Sequence, residues 1–254
     1  MKKKVIAFDL DGTLSVSKSQ ASDRMIKLLN GLLEKYQVCV ISGGKLTQFE
    51  LQILAGLKSA GDNNLGNLHL MPTCGTRYYT YQPDDKRWHQ IYAEDFTKDQ
   101  KEKIVDALNK GLDETKLRPE PGKHWGELIE DRGSQITLSV LGQQAPVEAK
   151  DAWDPEDEKK YRLRDAIASH IPEFEVRAGG LTSIDVTKLG IDKAYGMDKL
   201  IEILGVKKEE ILFFGDKMHE GGNDYPVKAM GIDSVAVRDW QETAVAIDTI
   251  LKVT

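Results

Sequence analysis

Asp9-Leu10-Asp11-Gly12-Thr13 carries the sharpest chemical signal in the chain. It closes the apolar run 4–10, which reads as a buried strand. Residues i and i+2 of an extended chain point the same way, so Asp9 and Asp11 can share one pocket. Two adjacent carboxylates repel unless a cation lies between them or one holds a proton. Gly12 permits a sharp turn that brings backbone N–H groups near a ligand. An isolated Asp-x-Asp reads as a solvated turn. Average composition yields the pattern Asp-x-Asp-Gly-Thr in roughly one chain in several hundred, so a functional reading is preferred.

Three further sites sit where strands should end. Ile41-Ser42-Gly43-Gly44 follows a β-rich run and offers a hydroxyl and glycine-exposed N–H groups, a set that holds phosphate oxygens. Alone, Ser42 would be read as a helix cap. Lys193, in Gly190-Ile191-Asp192-Lys193-Ala194, opens a helical stretch and could neutralise a transferring phosphoryl group. Phe213-Phe214-Gly215-Asp216-Lys217 ends another strand, and Gly221-Gly222-Asn223-Asp224 follows in a glycine-rich loop. Hard oxygen ligands of this kind suit Mg²⁺, which binds one or two carboxylates plus substrate phosphate.

The elements that must position these groups alternate. Strand patterns at 4–10, 38–41 and 68–71 are separated by helical stripes through Ile26, Leu29, Leu33 and Tyr36, and through Leu46, Phe49, Ile53, Leu54 and Leu57. That βαβαβ order predicts a parallel sheet with right-handed crossovers. The middle differs. Residues 77–81 and 88–92 read as a hairpin. Thr97 and Gln100 form a capping box before a helical stripe. Strands follow at 127–131, 135–141, 174–177 and 183–186, and a charged helix runs from Asp154-Pro155 to Ile167. Residues 147–160 read as a solvated loop entering that helix. The parallel pattern returns with helices at 192–204 and 240–251 and strands at 211–214 and 234–237. The expected fold is α/β: a Rossmann-like doubly wound parallel-sheet core, 1–85 and 188–254, interrupted by an inserted α+β cap domain, 86–187.

Composition bounds the rest. The chain has 254 residues and a formal charge of −6, with 35 basic against 41 acidic residues. Such a balance argues against nucleic acid as a partner. No apolar run reaches the ~20 residues of a membrane span, so no membrane is expected. Four apolar residues near the start are too few for a secretory leader. Two cysteines, Cys39 and Cys74, make no disulfide framework, and a reducing cytoplasm is the default setting. Assembly as a homodimer is left open. The four tryptophans read as packing residues, and the five histidines show no metal spacing.

The ordered set Asp9/Asp11, Ser42, insert, Lys193, Asp216/Asp224 resembles the haloacid dehalogenase-like phosphohydrolase superfamily in its large α+β-capped (Cof-type) form. The resemblance covers nearly the whole chain. It implies Asp9 as nucleophile, Asp11 as general acid/base, and Ser42, Gly43, Lys193 and Asn223 on the phosphoryl group. It also implies Mg²⁺ held by Asp9, Asp11, Asp216 and Asp224. Within the superfamily, the metal loop 213–224 and the segment 179–186 are similar to the eukaryotic-type phosphomannomutase branch. Ser183 and Asp185 are then implied to face a sugar phosphate, and Arg132, in Ile129-Glu130-Asp131-Arg132-Gly133, to bind phosphate. Two departures stand out. That branch has a further cap arginine where this chain reads Leu141-Gly142-Gln143, and residues 225–231 do not match its usual continuation. Arg177 is a candidate substitute for the arginine, and His219 is left without a role. A neutral Gln binds an anion less well than a bidentate arginine. The first expectation is therefore a Mg²⁺-dependent sugar-phosphate phosphatase acting through an aspartyl-phosphate. The alternatives are a phosphomannomutase interconverting mannose 1-phosphate and mannose 6-phosphate and, less favoured, a non-catalytic phosphate-responsive binding protein.

Overall fold

The computed structural model describes residues 2–57 and 62–253. Strand β1 (Val5–Asp9) is buried throughout because both of its faces are covered. Ile6 and Phe8 join one apolar cluster, and Val5 and Ala7 join another on the opposite face. This explains an apolar run without alternation. Helix α1 (Asp23–Leu33) is capped by Ser22, whose Oγ accepts from the Met25 N–H at 3.3 Å. Strand β2 (Gln37–Ile41) pairs parallel with β1. The next helical stripe is not one α-helix. Helix α2 (Leu46–Phe49) passes through a π-helical turn (Glu50–Leu54) into α3 (Ala55–Leu57). Helix α4 (Asp62–Leu65) and β3 (Leu68–Met71) follow, and then β4 (Arg77–Gln82) and β5 (Arg87–Ala93) form an antiparallel hairpin.

Beyond Ala93 the chain enters a second compact unit, Glu94–Ile191. Helix α5 (Lys98–Glu114) starts at the expected capping box: Thr97 Oγ1 accepts from Gln100 N at 3.3 Å, and Gln100 Oε1 accepts from Thr97 N at 2.9 Å. Strands β6 (Ile129–Asp131) and β7 (Gln135–Ser139) are followed by helices α6 (Val147–Trp153) and α7 (Glu158–His170), then β8 (Phe174–Ala178) and β9 (Ser183–Lys188). The sheet order is β6-β7-β9-β8, antiparallel throughout. Ile136, Leu138, Ile184 and Val186 turn one face to a core shared with Ile104, Leu108, Leu163 and Ile167 from α5 and α7. The expected solvated loop at 147–160 contains α6. The expected start of α7 at Asp154 is instead its N-terminal anchor, with side-chain oxygens accepting from Lys159 N at 3.1 Å and Lys160 N at 2.8 Å.

The chain then returns to the first unit, Met1–Ala93 with Asp192–Thr254, through α8 (Lys193–Leu204), β10 (Ile211–Gly215), α9 (Tyr225–Ala229), β11 (Asp233–Ala236) and α10 (Trp240–Val253). The sheet order is β11-β10-β1-β2-β3-β4-β5, parallel from β11 to β3 and antiparallel beyond. β5 thus pairs within the larger sheet, and the compact insert runs 94–191, against the expected 86–187. Helices α1 and α10 contribute to the core on one face, and α8 supplies Met197 and Leu200 to the core on the other. No helix among the described residues is long and apolar enough to cross a membrane.

One buried polar chain braces this sheet. His69 Nε2 donates to Gln37 Oε1 at 2.7 Å, and Tyr78 O–H donates to His69 Nδ1 at 2.7 Å. Gln37 Nε2 donates to Asn67 Oδ1 at 2.8 Å. Both ring nitrogens of His69 are used by a neutral imidazole, and burial pushes its pKa down to about 4. Below pH 6.5 the unfolded chain takes up a proton that the folded one refuses. Stability is therefore expected to fall by up to about 3 kcal/mol as the pH drops from 6.5 towards 4. Urea unfolding across that range should show the slope, and His69→Gln should flatten it.

Candidate active site

The carboxyl ends of β1, β2 and β10 lie side by side, since β1 pairs with β10 through Phe8–Phe214 and with β2 through Asp9–Ile41. At the first of these ends Asp9 is buried, and Lys193 Nζ donates to its Oδ1. Lys193 is the first residue of α8, whose N-cap Asp192 accepts from Tyr195 N at 3.0 Å. Its ammonium, 1% exposed, also donates to Asp224 Oδ1 at 2.5 Å. Asp224 is fully buried, and its other oxygen accepts from Lys217 N at 3.0 Å.

Glycines let these groups converge. A Cβ at Gly215 would fall 2.5 Å from Asp224 Cγ. Gly12, at φ +84°, has no Cβ to collide with Asp216 Oδ2, which would lie 2.5 Å away. One oxygen from each of Asp9, Asp216 and Asp224 can then lie within 4.8 Å of the others. Burial, opposed by Lys193 and reinforced by Asp224 and Asp216, leaves the Asp9 pKa raised to about 7. Burial likewise raises Asp216. Burial opposes the Lys193 charge, yet the Asp9 and Asp224 carboxylates outweigh it and hold the ammonium above the usual lysine range. Three carboxylates share one buried ammonium, and the exposed Lys217 acts on Asp216 from outside, so the cluster keeps spare affinity for a cation with hard oxygen preference.

Asp11 points into a different set of contacts. Its Oδ1 accepts from Lys18 N at 3.0 Å and from Gln52 Nε2 at 3.2 Å. Gln52 also donates to Ser15 Oγ at 2.9 Å and is fully buried. It sits on the π-helical turn, a feature often found at functional sites. Sequence reading missed it; the available signal was a polar residue between the apolar Phe49 and Ile53 on a buried stripe. Gln52 Oε1 and Thr13 Oγ1 are buried with no hydrogen-bond partner among the described residues.

Ser42 is buried beyond β2, its Oγ accepting from Gly44 N at 3.1 Å and its carbonyl from Cys74 N at 2.9 Å. Gly43 follows it in this turn. Asn223 is exposed in the loop that delivers Asp224, and the exposed His219 donates through Nδ1 to Glu220 O at 3.1 Å.

In the second unit, Ser183 and Asp185 lie on one face of the sheet, opposite Ser139 and Thr137 of β7. Arg177 of β8 pairs with Asp185 in register, and its Nε lies 3.3 Å from Glu175 Oε1. Arg132 follows β6, with Nε donating to Glu130 Oε2 at 2.8 Å. Gln143 donates through Nε2 to the backbone carbonyls of Leu128 at 3.2 Å and Thr137 at 3.4 Å.

Comparison with known proteins adds an independent line. The family model described as eukaryotic phosphomannomutase matches residues 25–253. A phosphomannomutase of Encephalitozoon cuniculi is 29% identical over 98% of this chain and 94% of its own length. One from Spinacia oleracea is 29% identical over 89% of this chain and 86% of its own. A solved haloacid dehalogenase-like hydrolase from Bacteroides thetaiotaomicron shares the fold, with a TM-score of 0.62 at 17% identity, over 98% of this chain and all of that one.

The ion cluster makes a prediction about stability. Lys193→Met leaves two carboxylates buried without their ammonium, which should cost about 3–5 kcal/mol at neutral pH. The loss should shrink as the pH falls and the carboxyl groups take up protons, a dependence read by urea unfolding at pH 7.5 and pH 5.

Proposed function

The chain belongs to the eukaryotic phosphomannomutase family, and from that premise we propose that it interconverts mannose 1-phosphate and mannose 6-phosphate through an aspartyl-phosphate. Hydrolysis was the first expectation from the residues. The family match and the relatives named phosphomannomutase support the mutase better. The observation that carries the reading is the length of that match, 25–253, which takes in the inserted unit and the loop that delivers Asp216 and Asp224; Asp9 and Asp11 precede it and lie within the 98% of the chain aligned to the Encephalitozoon cuniculi relative.

The donor set of Asp9, Asp216 and Asp224 consists of carboxylate oxygens around a single ammonium, and it fits Mg²⁺. When bound, Mg²⁺ neutralises phosphate charge as a Lewis acid. The Asp9 carboxylate attacks phosphorus in line, forming an O–P bond as the bond from phosphorus to the sugar oxygen breaks. Asp11, steadied by Gln52 and the Lys18 N–H, gives its proton to the departing oxygen. In the other half-reaction Asp11 takes the proton from the free C6 hydroxyl of mannose 1-phosphate, whose oxygen attacks the aspartyl-phosphate as the Asp9 O–P bond breaks; the mannose 1,6-bisphosphate so formed turns round, returns its 1-phosphoryl group to Asp9 and leaves as mannose 6-phosphate. A hexose bisphosphate supplies the first phosphoryl group. Lys193, Ser42, Gly43 and Asn223 hold the phosphoryl oxygens. Arg132, Ser183 and Asp185 read the sugar and its remote phosphate.

One observation favours hydrolysis as a second reading. Gln143 stands where the branch carries an arginine, is uncharged, and directs its amide at backbone carbonyls, so it adds no anion contact. A mutase must hold its bisphosphate while the sugar is turned round, and weak anion binding would let water take the sugar's place.

Incubation of the protein with mannose 1-phosphate, Mg²⁺ and a hexose 1,6-bisphosphate should give mannose 6-phosphate faster than inorganic phosphate. Phosphate release without isomer exchange would instead establish the hydrolase. Asp9→Asn should abolish both and should prevent trapping of a labelled phosphoryl-enzyme. Independently of turnover, Mg²⁺ should raise the Tm of the wild-type protein after EDTA treatment, and Asp216→Asn should weaken that shift.

A further inference from the structure

The sheet of the second unit has a helix-covered face and a polar face, and the polar face is ordered in a way that no motif records. Gln135, Thr137 and Ser139 alternate with Ile136 and Leu138 along β7, and all three polar residues are buried. Thr137 stands in register with Glu130 on one side and Asp185 on the other, and Asp185 with Arg177. Within that row Gln135 Nε2 donates to Thr137 Oγ1 at 3.0 Å, and Thr137 Oγ1 donates to Asp185 Oδ1 at 2.7 Å. Because the hydroxyl accepts from the Gln135 amide, its single proton is committed to the Asp185 carboxylate.

The other carboxylate oxygen is set by a glycine. A Cβ at Gly179 would lie 2.6 Å from Asp185 Oδ2, so any larger residue there would displace that oxygen. Gly179 is itself held by its N–H to Ser183 O at 2.8 Å. One oxygen of Asp185 is thus tied down by a hydroxyl, and the other lies against a bare Cα.

We infer that Thr137, backed by Gln135, is the positioning residue for Asp185, presenting Oδ2 to a hydroxyl of the hexose ring. The inference rests on the reading above that Asp185 contacts the sugar, and it adds the groups that aim it. A carboxylate that must accept from one ring hydroxyl binds well only when its plane is held before the ligand arrives. A threonine hydroxyl does this without adding charge.

Steady-state kinetics with mannose 1-phosphate, using the protein loaded with Mg²⁺ and bisphosphate, tests it. Thr137→Val keeps the shape and removes the hydroxyl; KM should rise about tenfold with kcat changed less than about twofold. Thr137→Ser keeps the hydroxyl and should restore KM. If Thr137→Val leaves KM unchanged while Asp185→Ala raises it, the positioning role is wrong and the sugar contact stands. Equal impairment by Thr137→Ser and Thr137→Val would assign the effect to the methyl packing and also overturn the inference. If Asp185→Ala leaves KM unchanged, or the wild-type protein turns over no hexose monophosphate, the functional reading falls and takes this inference with it.

Discussion

A single buried ammonium organises the catalytic end of the larger sheet. Lys193 draws Asp9 from β1 and Asp224 from the loop after β10 onto one nitrogen, although its own element lies almost two hundred residues beyond Asp9. Without a cation, burying these two carboxylates side by side would be too costly to sustain. With it, the two strands close in the parallel register that puts Asp216 within reach of both. The same arithmetic leaves the cluster one or two negative charges in excess. A site so charged repels a phosphate on its own and accepts one only together with a further cation. Attraction for metal and demand for metal thus have one origin, the mismatch of three carboxylates to one buried lysine.

Much of this was legible in the residues because it depends on local periodicity and on strand ends. The run Val5–Asp9, the helical stripe around Leu29, and the return of β-rich pattern at Ile211–Gly215 each announce an element by composition alone. The chemistry-bearing residues sit at their C-terminal ends, where an open parallel sheet places ligands. The resemblance added the roles; the spacing had already picked out the acids, Ser42 and Lys193.

What escaped reading depends on partners distant in sequence. β5 looked like part of the insert because a hairpin carries no mark of the sheet it will join; its pairing with β4 and the pairing of β4 with β3 settle that. Helix α6 is short and has no buried residue, so its polar sequence gives no amphipathic stripe to recognise. Gln52 was hidden by a change of period: a π-turn shifts the faces of the helix, and a polar residue arrives in the interior beside Asp11. Gln143 shows a subtler limit. A lost arginine is visible as a letter, but only the structure shows that its replacement has turned to brace backbone carbonyls.

The split of the first unit around the second bears on synthesis. β1 emerges from the ribosome ahead of its neighbour β10, which ends at Gly215, about 200 residues later. At ~5–20 residues per second that is a delay of about 10–40 s. The insert, contiguous from Glu94 to Ile191, is fully translated first and has its own apolar core. During that interval the hydrogen-bonding edge of β1 that will meet β10 is bare, on a strand whose residues are apolar up to Asp9. The order of the chain therefore makes the period before β10 emerges the time of greatest exposure to misassociation, when a chaperone would have most to do.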